Sequence, residues 1–555
     1  MRLARAGPVE AARLEPWRAS TGFSLRRRVW GAAWVVAIAG SLVLAGVGRE
    51  ETVNADGLPQ LGNFFAAALH PRLDSDFLDL TWDASVVTLS YAVLGTALSL
   101  VIGLVGGAAI AEAMWRSSSG SGRRRSTAGW LLVRALLVVP RGIHEVVWGL
   151  LLLSVLGLDP MVAVLAIGIP YGAVTAKVFA EILDEAPRAP FAALTASGTR
   201  RPAALLYSLL PATLPDLASY SFYRFECAIR GAAILGLVGA GGLGFQLALS
   251  FQALRYEEMW TLLYALILLS GAADLWSTVV RMRARRARQG RDRVLAASVV
   301  GAALMVPLSA WQVDLDPLTV FAGRARDLFG DALAGAWPPD LGGGTLQLVA
   351  EASVDTMAMS VIAIAIAFTG GAALAFPAAA AARIRGSPLR KARAGVLALV
   401  SRSFLLFLRA VPPPVSAFLL LLVLFPGVLP GAVALGLYNL GILGRLMAEA
   451  VENFDDRALQ ALEAGGATPA QAFLYGTVPG LATRFLAYGL YRWEVAIRET
   501  VVVGVVGAGG LGVLLAERIA AFDYAGVTTV LAAVIVLTLV VDFLSAAMRG
   551  AFERG

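Results

Sequence analysis

The sequence predicts an all-α polytopic membrane protein. It is read as two parallel tandem repeats of about six transmembrane helices each, about 12 in total, related by a pseudo-twofold axis along the membrane normal. Three observations predict this. Of the 555 residues, 58% are hydrophobic and 15% charged, too little polar surface for a soluble chain of this length. Apolar runs long enough to cross a bilayer, about 20 residues, recur throughout. The second half repeats the first at a constant offset of 268 residues.

The chain opens on a basic stretch, 1–28, with seven arginines. The apolar run Val29–Gly48 is long for a signal core and is followed by no small-residue cleavage site, so it reads as a retained first helix. The remaining spans of the first half are expected near 84–113, 128–157, 160–180, 209–238 and 259–280. Those of the second are expected near 294–311, 353–382, 396–425, 428–447, 477–506 and 526–547. The fifth span of each half ends in glycines, which predicts a bend or break there. The first repeat covers 29–282, a basic linker 283–293, and the second repeat 294–555.

Loop charges predict the orientation. The N-terminus, Arg116–Arg125, Arg281–Arg293 and Arg383–Arg393 are rich in arginine, whereas Arg49–Asp83 and the loop after Trp311 are acidic. The basic loops belong to the cytoplasm, so both termini are expected there, in a cell membrane. An even number of spans gives both halves the same orientation. The segment Arg445–Tyr475 is net negative and departs from this pattern.

The repeat is carried by polar residues as well as apolar ones. Tyr220–Gly244 and Tyr488–Gly512 agree at 15 of 25 positions. The same offset pairs Thr88 with Thr356, Arg141 with Arg409, Glu181 with Glu449, Tyr256 with Tyr524 and Asp274 with Asp542. A shared apolar bias would not hold so many polar residues in one register.

Several functions are excluded. A single cysteine, Cys227, rules out an internal disulfide, and two histidines make a metal site within the chain unexpected. The arginine clusters sit between apolar spans, which argues against nucleic acid. No phosphate-binding Gly-Lys-Ser/Thr loop, carboxylate pair or nucleophile constellation is present, so the chain is read as no enzyme, with no cofactor of its own.

Charged residues inside a span are costly unless paired or facing a polar cavity, and so mark a pathway. Tyr223, Arg224, Glu226 and Arg230, with their mates Tyr491, Arg492, Glu494 and Arg498, are therefore candidates for a translocation route. Glu226 and Arg230 lie four apart on one helical face, so a structural bridge is an equal reading. Guanidinium suits the oxygens of phosphonate or phosphate. Arg141 and Arg409 at the third span join the candidates, although the halves differ there: Arg141-Gly-Ile-His-Glu145 faces Arg409-Ala-Val-Pro-Pro413. His144 and Glu145 are expected to satisfy each other or a neighbour. Gly239, Gly241 and Gly242, with Gly507, Gly509 and Gly510, are read as a tight turn or as a hinge at an outer gate.

The motif Tyr-Arg-Phe/Trp-Glu-x-x-Ile-Arg, followed by Gly-x-Val-Gly-Ala-Gly-Gly-Leu-Gly, resembles the permease of phosphonate ABC importers. The resemblance covers about Asp83–Met282 and Glu351–Arg549. The loops after the fourth spans resemble the coupling loops of such permeases: Ala192, Ala193, Gly198 and Pro211 in the first half, Gln460, Ala461, Gly466 and Pro479 in the second. Ala192 and Gln460 stand where that motif has Glu, and Ser208 and Gly476 where it has an aliphatic residue. The glycine would permit a turn and the proline restart a membrane helix. The resemblance implies two copies of a cytoplasmic ABC ATPase that bind the ATP and Mg, and an extracytoplasmic phosphonate-binding protein. One fused chain would replace a permease dimer and move the anion by alternating access. The alternative is a secondary transporter of small anions without an ATPase; the paired coupling loops favour the first reading.

Overall fold

The computed structural model describes residues 25–48, 52–115, 127–286, 293–383, 387–455 and 457–553. The basic stretches 1–24, 116–125 and 287–292 lie outside them. In the first half the helices are α1 (Leu25–Leu44), α2 (Leu58–Ala67), α3 (Ser75–Ile110), α4 (Thr127–Gly142), α5 (Glu145–Leu156), α6 (Pro160–Glu185), α7 (Ala189–Ala196), α8 (Leu210–Leu235), α9 (Gly242–Gln252) and α10 (Tyr256–Arg286). The second half continues with α11 (Arg293–Gln312), α12 (Gly323–Gly335), α13 (Gly343–Ala378), α14 (Pro388–Ala410), α15 (Pro413–Val423), α16 (Val428–Glu452), α17 (Arg457–Ala464), α18 (Val478–Val503), α19 (Gly510–Ala520) and α20 (Tyr524–Glu553). Eight helices are long and apolar enough to cross a membrane, and up to twelve spans result if each of four bent pairs is one. The all-α, twice-repeated class holds.

Local chemistry sets the helix ends. Asp74 caps α3 by accepting from Phe77 N at 3.1 Å, and Asp159 caps α6 from Met161 N at 2.8 Å, with Pro160 in the first turn. The third span of each half, expected as one helix, is two: α4 and α5 meet at 85°, α14 and α15 at 90°. In the first half His144 leaves helical geometry and its Nδ1 accepts from Val146 N, which starts α5 afresh. In the second, Pro412 and Pro413 do the same work, since a residue before proline is driven off the helical region. Only a few polar residues interrupt the apolar runs at the corners, Arg141, His144 and Glu145 in the first half and Arg409 in the second, which is why each pair reads as a single span.

The bends expected in the fifth spans are present, 53° between α8 and α9 and 49° between α18 and α19. Gly239 and Gly507 take φ of 111° and 98°, a region that side chains with a Cβ avoid. Each bend exposes a backbone N–H at the new helix start, and a threonine accepts it: Leu243 N to Thr88 Oγ1 at 2.8 Å, Leu511 N to Thr356 Oγ1 at 2.9 Å. That is the physical content of the Thr88/Thr356 register pair. The expected restart at Pro211 and Pro479 falls elsewhere. The helical run begins at Arg201 and at Pro469, and one wide turn precedes each proline, with Leu210 N donating to Leu205 O and Val478 N to Phe473 O. The wider turn accommodates the N–H that proline lacks.

Helix α3 lies along α6, and α13 along α16. Glycines allow the close approach: a Cβ on Gly103 would stand 2.4 Å from Thr175 and one on Gly168 2.4 Å from Leu98. The first helix of each half crosses over. α1 packs on α13 and α20, with the Trp34 and Trp493 rings 4.9 Å apart and Trp34 Nε1 donating to Met548 Sδ at 3.2 Å. α11 packs on α3, and Trp276 Nε1 donates to Ser298 Oγ at 3.1 Å.

Candidate functional site

Between the halves lies a cavity of about 690 Å³. It is lined by α8 and α18, by the corners of the broken third spans, and by α6, α10 and α16. Eight arginines line it (Arg141, Arg224, Arg230, Arg281, Arg409, Arg445, Arg492 and Arg498) against five carboxylates, Glu145, Glu226, Asp274, Glu449 and Glu499. The excess is positive, and the rest of the wall mixes aliphatic side chains with tyrosines, Thr278 and His144.

The paired arginines bind the halves together. Arg230 Nη2 lies 3.2 Å from Glu226 Oε1, and Arg409 of the other half reaches the same carboxylate at 3.6 Å. Arg409 and Arg445 both hold Asp274, at 2.9 and 3.4 Å, so a carboxylate of α10 is clamped by α14 and α16. Arg445 also pairs with Glu449 at 3.1 Å. The expected Glu226–Arg230 bridge and the expected cavity position are thus both realised. In the second half they separate. Glu494 turns away from the cavity to Arg549 at 2.5 Å, and Arg498 donates to two backbone carbonyls, those of Glu494 and Arg141, each at 3.3 Å.

Four cavity arginines, Arg141, Arg224, Arg281 and Arg498, have no carboxylate within ion-pair distance among the described residues. Arg281 instead donates to Ser277 and Thr278. Arg224, only 9% exposed, lies with its guanidinium carbon 3.9 Å from the centre of the Tyr171 ring, and its Nε has no acceptor. Its mate Arg492 is fully engaged: 2.5 Å from Glu499, donating also to Asn439, whose Nδ2 donates to Glu499 at 3.1 Å.

Nine of the ten residues expected along the pathway line this cavity: Tyr223, Arg224, Glu226, Arg230, Arg141, Arg409, Tyr491, Arg492 and Arg498; Glu494 does not. His144 and Glu145 stand 3.2 Å apart, and Glu145 accepts from Tyr171 Oη at 3.0 Å. Tyr171, Asn439, Arg445 and Glu499 belong to the site without having been singled out. A glutamate inside the predicted fifth span, two residues before the apolar run Val501–Val503, was the available signal for Glu499. Above the arginines, toward the glycine bends, Val146, Ile234 and Val502 pack into an apolar plug. Ile234 and Val502 are register mates, so the plug sits where the halves meet.

The expected coupling residues lie apart from the cavity. Ala192 and Ala193 are on α7, and Gln460 and Ala461 on α17. Each short helix ends in the same turn: Gly198 and Gly466 have φ of 90° and 88°, and Thr199 N donates to Leu194 O and Ala467 N to Leu462 O, both at 3.0 Å. The six glycines expected at the gate all sit at the two bends with positive φ. Among the described residues, no group of three or more His, Cys, Asp or Glu converges as metal ligands do.

Comparison with known proteins identifies both halves with one family model, "Binding-protein-dependent transport system inner membrane component", over residues 116–286 and 378–555. The chain is 27% identical over 501 residues to the phosphate-import permease protein PhnE of Mycolicibacterium smegmatis, covering 88% of each chain. It is 33% identical over 252 residues to the phosphite transport system permease protein PtxC of Stutzerimonas stutzeri, covering 45% of this chain and 86% of that one. No solved structure gives a significant match.

Proposed function

This chain belongs to the family of inner membrane components of binding-protein-dependent transport systems, and from that premise we propose that it is a complete two-fold permease core, fused in one polypeptide, that passes phosphonate-like anions through the cavity between its halves. The observation that carries the reading is the cavity's charge: eight arginines against five carboxylates, four of the arginines without a carboxylate partner among the described residues. Phosphonate, phosphate and phosphite offer the oxygens that a guanidinium fork accepts. The names of the relatives above support the same substrate class.

Two copies of a cytoplasmic ATPase dock on α7 and α17, whose shared length and shared glycine turn suit two equivalent partners. An extracytoplasmic phosphonate-binding protein delivers the anion to the opposite face. ATP and Mg are bound by the ATPase, not by this chain. With both termini in the cytoplasm, the cavity reaches along α10 to Met282 and along α16 to Glu449, toward the coupling helices. The plug of Val146, Ile234 and Val502 then closes the outer side. ATP-driven approach of the ATPases draws α7 and α17 together, parts the plug, and opens the arginines to the delivered anion.

The test is ATP-dependent uptake of phosphate and methylphosphonate by vesicles carrying the permease, its ATPase and its binding protein. Arg230→Ala with Arg498→Ala is expected to lower uptake by about tenfold or more, the scale of one lost charge-assisted contact. Uptake near that of the unaltered protein would overturn the anion route.

A further inference from the structure

Arg224 and Arg492 hold the same place in the repeat, yet the halves treat them in opposite ways. Around Arg492, Glu499 supplies the counter-charge at 2.5 Å and Asn439 links the two. The register mates of those residues are Gly231 and Tyr171. In the first half the carboxylate instead comes from Glu145, whose mate is Pro413, and it is taken up by the Tyr171 hydroxyl at 3.0 Å. The space beside residue 231 is already occupied: a Cβ there would stand 3.2 Å from Tyr171 Oη and 3.5 Å from Glu145 Oε1. Three exchanges thus act together to deny Arg224 a carboxylate.

What remains is a guanidinium over nine-tenths buried, its carbon 3.9 Å from the centre of the Tyr171 ring, with an Nε that has no acceptor among the described residues, in the wall of the cavity. A buried cation without a counter-charge is costly, and a chain that neutralises its twin has the means to neutralise this one. A ring contact takes up none of the guanidinium's capacity to donate to acceptor oxygens, so its N–H groups stay available to a planar or tetrahedral oxyanion.

We propose that the anion is gripped on one side only: Arg224 is its principal ligand, and Arg492 is a structural cation whose charge Glu499 already cancels. This rests on the anion route proposed above. At this register pair the free charge lies on the first half alone, so a single small anion has one preferred seat there, off the axis and beside Arg224. Tyr223 and Arg230 line the same wall.

The chain's only cysteine, Cys227, lines the cavity one turn from Arg224 and reports on the seat directly. In the full complex, modification of Cys227 by a negatively charged methanethiosulfonate reagent is followed as the mass gain of the permease, with and without methylphosphonate or inorganic phosphate. The readout is the ratio of the two rates, so a changed thiol reactivity cancels. Either anion is expected to slow labelling of the unaltered chain. Arg224→Ala is expected to raise the anion concentration needed by about tenfold or more. Arg492→Gln with Glu499→Gln, which removes the neutral pair whole, is expected to raise it by no more than about twofold. Should Arg224→Ala fail to assemble, Arg224→Lys against Arg492→Lys poses the same question, with the larger loss expected at 224 because the fork is lost there. Equal losses at both positions would overturn the one-sided grip and leave the anion route standing. Protection untouched by Arg224→Ala would do the same. No protection of the unaltered chain by either anion would overturn both proposals.

Discussion

In the first half Ile102 of α3 fills the space beside Gly172 of α6; in the second, Leu440 of α16 fills the space beside Gly370 of α13. These are register mates with the large and the small residue exchanged between helices. The carboxylate near the fifth span has moved in the same fashion, from α5 in the first half to α18 in the second. The packing exchange is complete: a knob and a hole have traded sides and the helix pair is kept. The polar exchange is incomplete: the carboxylate is kept but its partner changes from a tyrosine to an arginine. Duplicated halves drift freely where only volume must be conserved, and they diverge in function where a charge changes partner.

The comparison breaks most sharply at Glu499. Glu499→Gln leaves Arg492 buried without its counter-charge and is expected to cost about 3 kcal/mol, read as a lowered thermal midpoint of the purified protein in detergent. A midpoint unchanged would mean that Arg492 is solvated through the cavity and that the two halves are alike after all. Gly172→Leu comes next. It drives a side chain into Ile102, whose Cβ would be 2.6 Å from the new Cβ, and is expected to cost about 2 kcal/mol. Adding Ile102→Gly should restore most of that loss, because it rebuilds the second half's arrangement in the first. Failure of the double variant to recover would show that more than volume distinguishes the two interfaces. The smallest effect is expected where the halves agree. Thr88→Val and Thr356→Val each remove one hydrogen bond to the start of a bent helix, costing about 1 kcal/mol and the same in both halves. Unequal costs would mean the two bends carry different loads.

The repeat, the glycine bends and six of the eight cavity arginines (Arg141, Arg224, Arg230, Arg409, Arg492 and Arg498) were legible in the sequence, because each is written twice in one register. The corners between α4 and α5 and between α14 and α15 were not. They are made by different residues, His144 in one half and Pro412 with Pro413 in the other, and apolar runs resume directly on both sides of each corner. Glu499 was passed over for a related reason. A self-comparison rewards agreement, and Glu499 matters through its disagreement with Gly231. Asp274 had been noted only as a mate of Asp542, yet it alone of the two is clamped across the halves, by Arg409 and Arg445. Which of two matched charges finds a partner depends on the angle between helices, and no alignment carries that.

The crossing of α1 onto the second half and of α11 onto the first has a mechanical result. Each half wears the other's first helix along its outer flank, as two dancers each hold the other's waist. Such an embrace ties the two halves together along both flanks. Pulling the halves apart sideways would have to strip both of these helices from their seats at once.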